Sequence, residues 1–156
     1  MASAAGAAPG APGAGAGGAA VTASVPARSR TRTTLVTGPR AAVREAAIAA
    51  SLSGTAGVAG ARLPAAVILE GLADANSPLE NAPETGLQVL RIAPGCLCCA
   101  GNLVLRVTLN RLLRRPPAQL FISLANAEHV DQLRSMLLAA PYGDLLDLGA
   151  DLQAEA

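Results

Sequence analysis

From Thr33 onward the chain alternates short apolar runs with segments of helical period, and this alternation limits the fold more than any other feature. TTLVT (Thr33 to Thr37), AAVIL (Ala65 to Leu69), LQVLRI (Leu87 to Ile92) and LFISL (Leu120 to Leu124) read as strands. Strands covered on both faces lose the polar alternation of a half-exposed sheet and become continuous apolar runs. Gly38-Pro39 turns the first run into an Ala-rich helix from about Arg40 to Leu52, and Ser53 to Arg62 is a flexible connection. A loop marked by Asp74, Asn76, Pro78, Asn81 and Pro83 separates the second and third runs. Asn102 is placed to cap a helix reaching about Arg115, with Leu105, Leu109 and Leu112 on one face and Arg106 and Asn110 opposite. Pro116-Pro117 ends that helix, because proline lacks an amide and clashes with the preceding turn. A third helix is predicted from Glu128 to Ala139, with Val130, Leu133 and Leu137 inward. Strands separated by helices predict an α/β fold, three layers α/β/α around a mainly parallel sheet of four to five strands.

Length allows one such domain: 156 residues divide into an Ala/Gly/Pro-rich leader over 1–32, expected to be disordered, an α/β domain over 33–148 and a tail over 149–156. The hydrophobic fraction of 51% imitates a membrane protein, but 36 alanines supply nearly half of it. One Phe, one Tyr and no Trp leave neither stacking platforms for single-stranded nucleic acid nor an interfacial aromatic belt. All twelve basic residues are arginine, which removes mechanisms that need lysine, and a net charge of +1 supplies no field to recruit a polyanion. Nucleic acid and membrane are therefore excluded as partners. Arg28, Arg30, Arg32 and Arg40 precede the first acidic residue, Glu45, as in a transit peptide, but the glycine content opposes the amphipathic helix that such a peptide needs. The Ala and Arg vocabulary fits a GC-rich bacterial genome and a cytoplasmic protein.

Cys96, Cys98 and Cys99 form a CxCC between the third strand and the helix after Asn102. Three cysteines within four positions are not a secreted disulfide framework and imply a reducing compartment. Thiolates are soft ligands suited to zinc or copper(I), and a helix N-terminus nearby favours the ionised, ligating form. A thiol redox element using Cys98 with Cys99, or Cys96 with Cys99, is the competing reading; the vicinal pair disfavours it geometrically.

The stretch Gly95-Cys96-Leu97-Cys98-Cys99, followed by Asn102-Leu103, resembles the GCxCC segment of the CobW family of P-loop GTPases, relatives of the nickel-chaperone GTPases. The resemblance runs from about Thr34 to Leu138 and is specific at the cysteine turn and its helix. It implies a truncated P-loop NTPase-like fold, nucleotide-driven delivery of a metal such as zinc or cobalt, and metal binding at the CxCC. A phosphate loop reads GxxxxGK[ST], whose glycines admit backbone amides to the phosphates, whose lysine neutralises them and whose hydroxyl holds magnesium. The corresponding residues run Gly38-Pro39-Arg40-Ala41-Ala42-Val43-Arg44-Glu45. Val43 replaces the second glycine, Arg44 the lysine, and Glu45 sets a carboxylate where a triphosphate would lie. Gly38 and Arg44 are the remnant nucleotide-binding candidates, and a GTP-binding protein using Arg44 in place of lysine stays an alternative. Ser123-Leu124-Ala125-Asn126 stands where the family has ETxG, and the guanine-reading NKxD is absent.

These losses argue against GTP as a ligand and assign no catalytic residue. The expected function is that of a catalytically degenerate CobW-like protein binding a soft metal ion, zinc first, at Cys96, Cys98 and Cys99 for buffering or delivery to a client metalloprotein. Tetrahedral zinc wants four ligands. Glu70 ends the second strand at the carboxyl edge, where α/β sheets place ligands, and in the family an acidic residue after this strand lies near the metal; it is preferred as the fourth ligand. His129, Asp74 and water are the other candidates: His129 follows the fourth strand at a helix start on the same edge but reads rather as a surface residue, and Asp74 as loop chemistry. A sheet edge left open offers a route to a homodimer.

Overall fold

The computed structural model describes residue 10 and residues 28–55, 63–95, 97 and 102–155. All three cysteines lie outside the described residues, as does most of the leader. Nine elements follow in chain order: β1 (Thr31–Thr37), α1 (Ala41–Gly54), β2 (Ala65–Glu70), β3 (Leu87–Ile92), α2 (Leu103–Leu112), β4 (Gln119–Ser123), α3 (Val130–Leu138), β5 (Leu146–Leu148) and β6 (Leu152–Gln153). The sheet is parallel in the order β3-β2-β4-β1-β5, with β6 also paired to β1.

The two central strands, β2 and β4, are buried at every residue, which is why they read as uninterrupted apolar runs. Successive side chains alternate between faces. Leu35, Ile68, Leu120 and Ile122 meet Leu105, Leu109 and Leu112 of α2 and Leu133 and Leu137 of α3 on one face. Val36, Val67, Leu69 and Phe121 meet Ile48 of α1 and Leu79 on the other. Helices on both faces make the predicted three layers. Each buried Leu or Ile contributes ~1.5–3 kcal/mol relative to exposure, so the α2 triad alone anchors its helix firmly.

Three local expectations are corrected. Helix α2 stops at Leu112, short of Arg115. Asn102 does not cap it: the residue adopts a left-handed backbone, φ 57°, makes no side-chain cap bond, and its buried Oδ1 has no partner among the described residues. Residues after Leu148 are not loose either, because β6 pairs in register with Val36 and Thr37, and the Ala154 N–H donates to the Thr37 carbonyl at 2.7 Å. The free edge of β3 is closed over its first half. Leu87 exchanges backbone hydrogen bonds with Ala82, and the Val89 N–H donates to Asn81 Oδ1 at 3.1 Å. No helix among the described residues is long and apolar enough to cross a membrane.

Candidate metal centre at the carboxyl rim

Strands β1 and β4 are neighbours whose following helices leave toward opposite faces, so ligands of a doubly wound sheet belong at their carboxyl ends. The corner after β1 takes only three residues, Gly38 to Arg40, before α1 begins at Ala41. Residues Ala41 to Glu45 are helical, as the Ala-rich run from about Arg40 predicts. Arg44 is 3% exposed and turned into the molecule, with Nε donating to Ser123 Oγ at 2.9 Å and Nη1 to the Gly38 carbonyl at 2.8 Å. Burial lowers its pKa, while the carboxylates of Glu70 and then Glu45 pull it back up. Gly38 is hemmed in: a Cβ there would lie 2.7 Å from the Ala154 carbonyl oxygen and 3.1 Å from Arg44 Cγ. Its lack of a side chain admits the β6 extension.

Glu45 does not point toward a phosphate site. It is 3% exposed and accepts a two-pronged bond from Arg91, Nη1 to Oε1 at 2.9 Å and Nη2 to Oε2 at 3.3 Å, while Ser77 Oγ donates to Oε2. Arg91 also donates to Ser77 Oγ at 3.0 Å, so the pair fastens the loop after β2 across α1 and β3. A cleft of about 550 Å³ lies at the ends of β1, β4 and β6, and Glu155 is the one charged residue lining it. Among the described residues, no cation lines this cleft to meet a triphosphate.

Glu70 ends β2 and is 7% exposed. Its Oε1 accepts from the Gly95 N–H at 2.6 Å and its Oε2 from the Ala125 N–H at 2.8 Å. One carboxylate therefore straps the turn after β3 to the loop after β4, since charge-assisted bonds to backbone amides are the stronger kind. Gly95 carries φ 81°, a left-handed turn that suits glycine and leads directly into Cys96.

Glu70, Gly95, Leu97, Asn126 and His129 line a second cavity, of about 280 Å³. Gly95 and Leu97, which flank Cys96 in the sequence, are part of this wall. His129 closes a 3-10 turn, Ala127–His129, which launches α3 and is capped by Asn126 Oδ1 accepting from the Glu128 N–H. The sequence reading set His129 apart as a surface residue, yet it is half-buried and shares the cavity with Glu70. Asp74 is exposed and accepts from the Asn76 N–H at 3.0 Å, a loop-forming role as expected. Among the described residues no three His, Cys, Asp or Glu side chains gather into a metal-holding group. Arg111, Arg114 and Arg115 line a separate groove beside β3 with no acidic partner among the described residues.

Over 70 residues, 44% of this chain, the sequence is 36% identical to the zinc chaperone YeiR of Escherichia coli (strain K12). The matched stretch is 21% of that protein, so the chain spans about a fifth of its curated relative. No family model matches the chain, and no solved structure does. This distant, partial similarity fits a CobW-like family and a metal-related role.

Proposed function

We propose that this chain is a CobW-like protein that holds a soft metal ion, zinc before others, on the Cys96, Cys98 and Cys99 turn for buffering or delivery, and that it has lost GTP hydrolysis. The observation that carries the reading is the rim cavity, into whose lining Glu70 and His129 bring an oxygen and a nitrogen donor beside the residues flanking Cys96. Three thiolates and one such donor make a four-coordinate zinc set. Similarity to a protein named as a zinc chaperone supports the same metal. A three-residue corner after β1, an Arg44 satisfied by the chain itself and an acidic cleft lining support the loss of nucleotide chemistry. Delivery requires a client metalloprotein as partner.

The test is elemental analysis and zinc titration of protein purified without oxygen, beside titration of a fluorescent GTP analogue on the same sample. About one zinc per chain and no saturable nucleotide binding are expected. Protein that refuses zinc rejects the metal reading; sub-micromolar GTP binding rejects the proposed loss.

A further inference from the structure

The chain leaves unmatched the three arginines of the groove beside β3. All 11 acidic side chains of the sequence lie among the described residues, and the ion pairs there join Arg91 to Glu45 and Arg134 to Asp151. Arg111, Arg114 and Arg115 therefore share a groove of about 530 Å³ with no carboxylate of the described residues bonded to any of them. One basic residue in the last turn of α2 suits the helix dipole, but two more beyond its end at Leu112 exceed that need. Like charges gathered in this way repel one another and focus a positive field on the groove. Its lining is not only charged: Leu90 of β3 and Val107 of α2 are part of it, and Val107 is 59% exposed. The exposed Gln88 side chain, in the same lining, makes no hydrogen bond among the described residues. Val107 and Arg111 are one helical turn apart, ~6 Å along the axis, close to the ~6–7 Å between alternate side chains of an extended chain.

We infer that this groove docks an extended, acidic segment of a partner protein, with carboxylates on alternate residues meeting Arg111, Arg114 and Arg115 and an apolar side chain before them resting against Leu90 and Val107. Guanidinium forks bind carboxylates through paired, parallel hydrogen bonds, and the Gln88 amide is available to the segment's backbone. A nucleic acid suits the groove less well, because the lone Phe121 and Tyr142 are both buried and no aromatic ring is offered to a base. None of these groups belongs to the rim cavity, so the docking surface is independent of whether the chain holds a metal.

The probe is a fluorescein-labelled peptide carrying one leucine, then glutamate at the second, fourth and sixth positions beyond it, with serine elsewhere. Its anisotropy is followed against the full chain, beside a counterpart with glutamine for glutamate and a single-stranded DNA of the same charge. The acidic peptide should bind saturably, at least about tenfold tighter than either comparator, and weaken as salt rises. Arg111→Gln, Arg114→Gln and Arg115→Gln combined should weaken it about tenfold or more, and Val107→Ser about threefold. Arg106→Gln removes the same charge from the same helix outside the groove and should cost less than about twofold. In the unsubstituted protein the backbone amide resonances of Leu90 and Thr108 should move on binding, which reports the site even if a substituted chain folds poorly. Absence of saturable binding overturns the docking site, as does an Arg106→Gln loss equal to that of Arg111→Gln alone, which means attraction to net charge. DNA that binds as tightly as the peptide overturns it in favour of nucleic acid. A concentration-dependent dimer that the three arginine substitutions dissolve overturns it in favour of a second copy of the chain.

Discussion

Two strand-to-helix corners sit on the same carboxyl rim and have opposite characters. The corner after β1 is closed: Arg44 bonds Ser123 and the Gly38 carbonyl, Glu45 bonds Arg91, and Ala154 presses on Gly38, so the charges of Arg44 and Glu45 are matched by the chain itself. The corner after β3 is open. Its Gly95 is held by Glu70, and among the described residues neither the His129 side chain, in the same cavity, nor the Asn102 Oδ1 at the start of α2 has a hydrogen-bond partner. Ligand capacity follows from unmet polar valence, because a group already satisfied must break a bond to bind anything else. On that argument the β1 corner is architecture, which agrees with the proposal that the ion is held after β3.

The largest expected effect separates the two directly. Replacing Cys96, Cys98 and Cys99 together by serine should abolish stoichiometric zinc in a chelator competition while leaving GTP-analogue binding at its baseline. Zinc retained in that variant would move the site elsewhere. Next in size is Arg44→Ala, which strands the Gly38 carbonyl and opens a cavity beneath the corner. It should cost about 2–4 kcal/mol of stability in urea unfolding, with zinc affinity unchanged. Loss of zinc binding by the folded variant would show that the corners are not independent.

Much of this division was legible in the sequence, for physical reasons that also set its limits. The four long strands announced themselves because burial on both faces removes polar alternation, and α2 did so through Leu105, Leu109 and Leu112. Strands β5 and β6 were invisible: Leu146–Leu148 is broken by Asp147, and Leu152–Gln153 is two residues long, so pairing with β1 creates them rather than any local preference. The P-loop frame at Gly38 was found, but the destination of Arg44 depends on Ser123, 79 positions away, and that of Glu45 on Arg91, 46 away. Glu70 was placed at the rim by its position at a strand end, whereas its amide partners were not. His129 was placed on the same edge by its position after the fourth strand but ranked as a surface residue, since half-burial beside a cavity is a tertiary fact.

A smaller effect is expected at the clamp behind the closed corner. Glu45→Gln keeps shape and one acceptor but removes the charge facing Arg91, whose side chain is 22% exposed and thus partly solvated. A loss of about 1–2 kcal/mol should follow, diminished in high salt because water and ions reach one side of the pair. A change below about 0.3 kcal/mol would mean that Ser77 and the Leu72 carbonyl hold the loop without the ion pair.

The smallest effect tests the open corner at its far end. Asn102 has φ 57°, a backbone that asparagine tolerates and glycine adopts without steric conflict, and its Oδ1 is buried with no donor among the described residues. Asn102→Gly therefore removes a desolvated acceptor worth ~1–3 kcal/mol of penalty, against ~0.5–1 kcal/mol of added chain entropy and some lost packing. The balance should be a thermal midpoint unchanged or raised by a few degrees, equivalent to about 1 kcal/mol at most for a domain of this size. Zinc affinity should hold as well, since the proposed ligands do not include Asn102. A variant that melts lower and binds zinc more weakly would reverse this, because it would give the Asn102 oxygen a partner within the cysteine turn. The open corner would then depend on that contact to keep the turn in place.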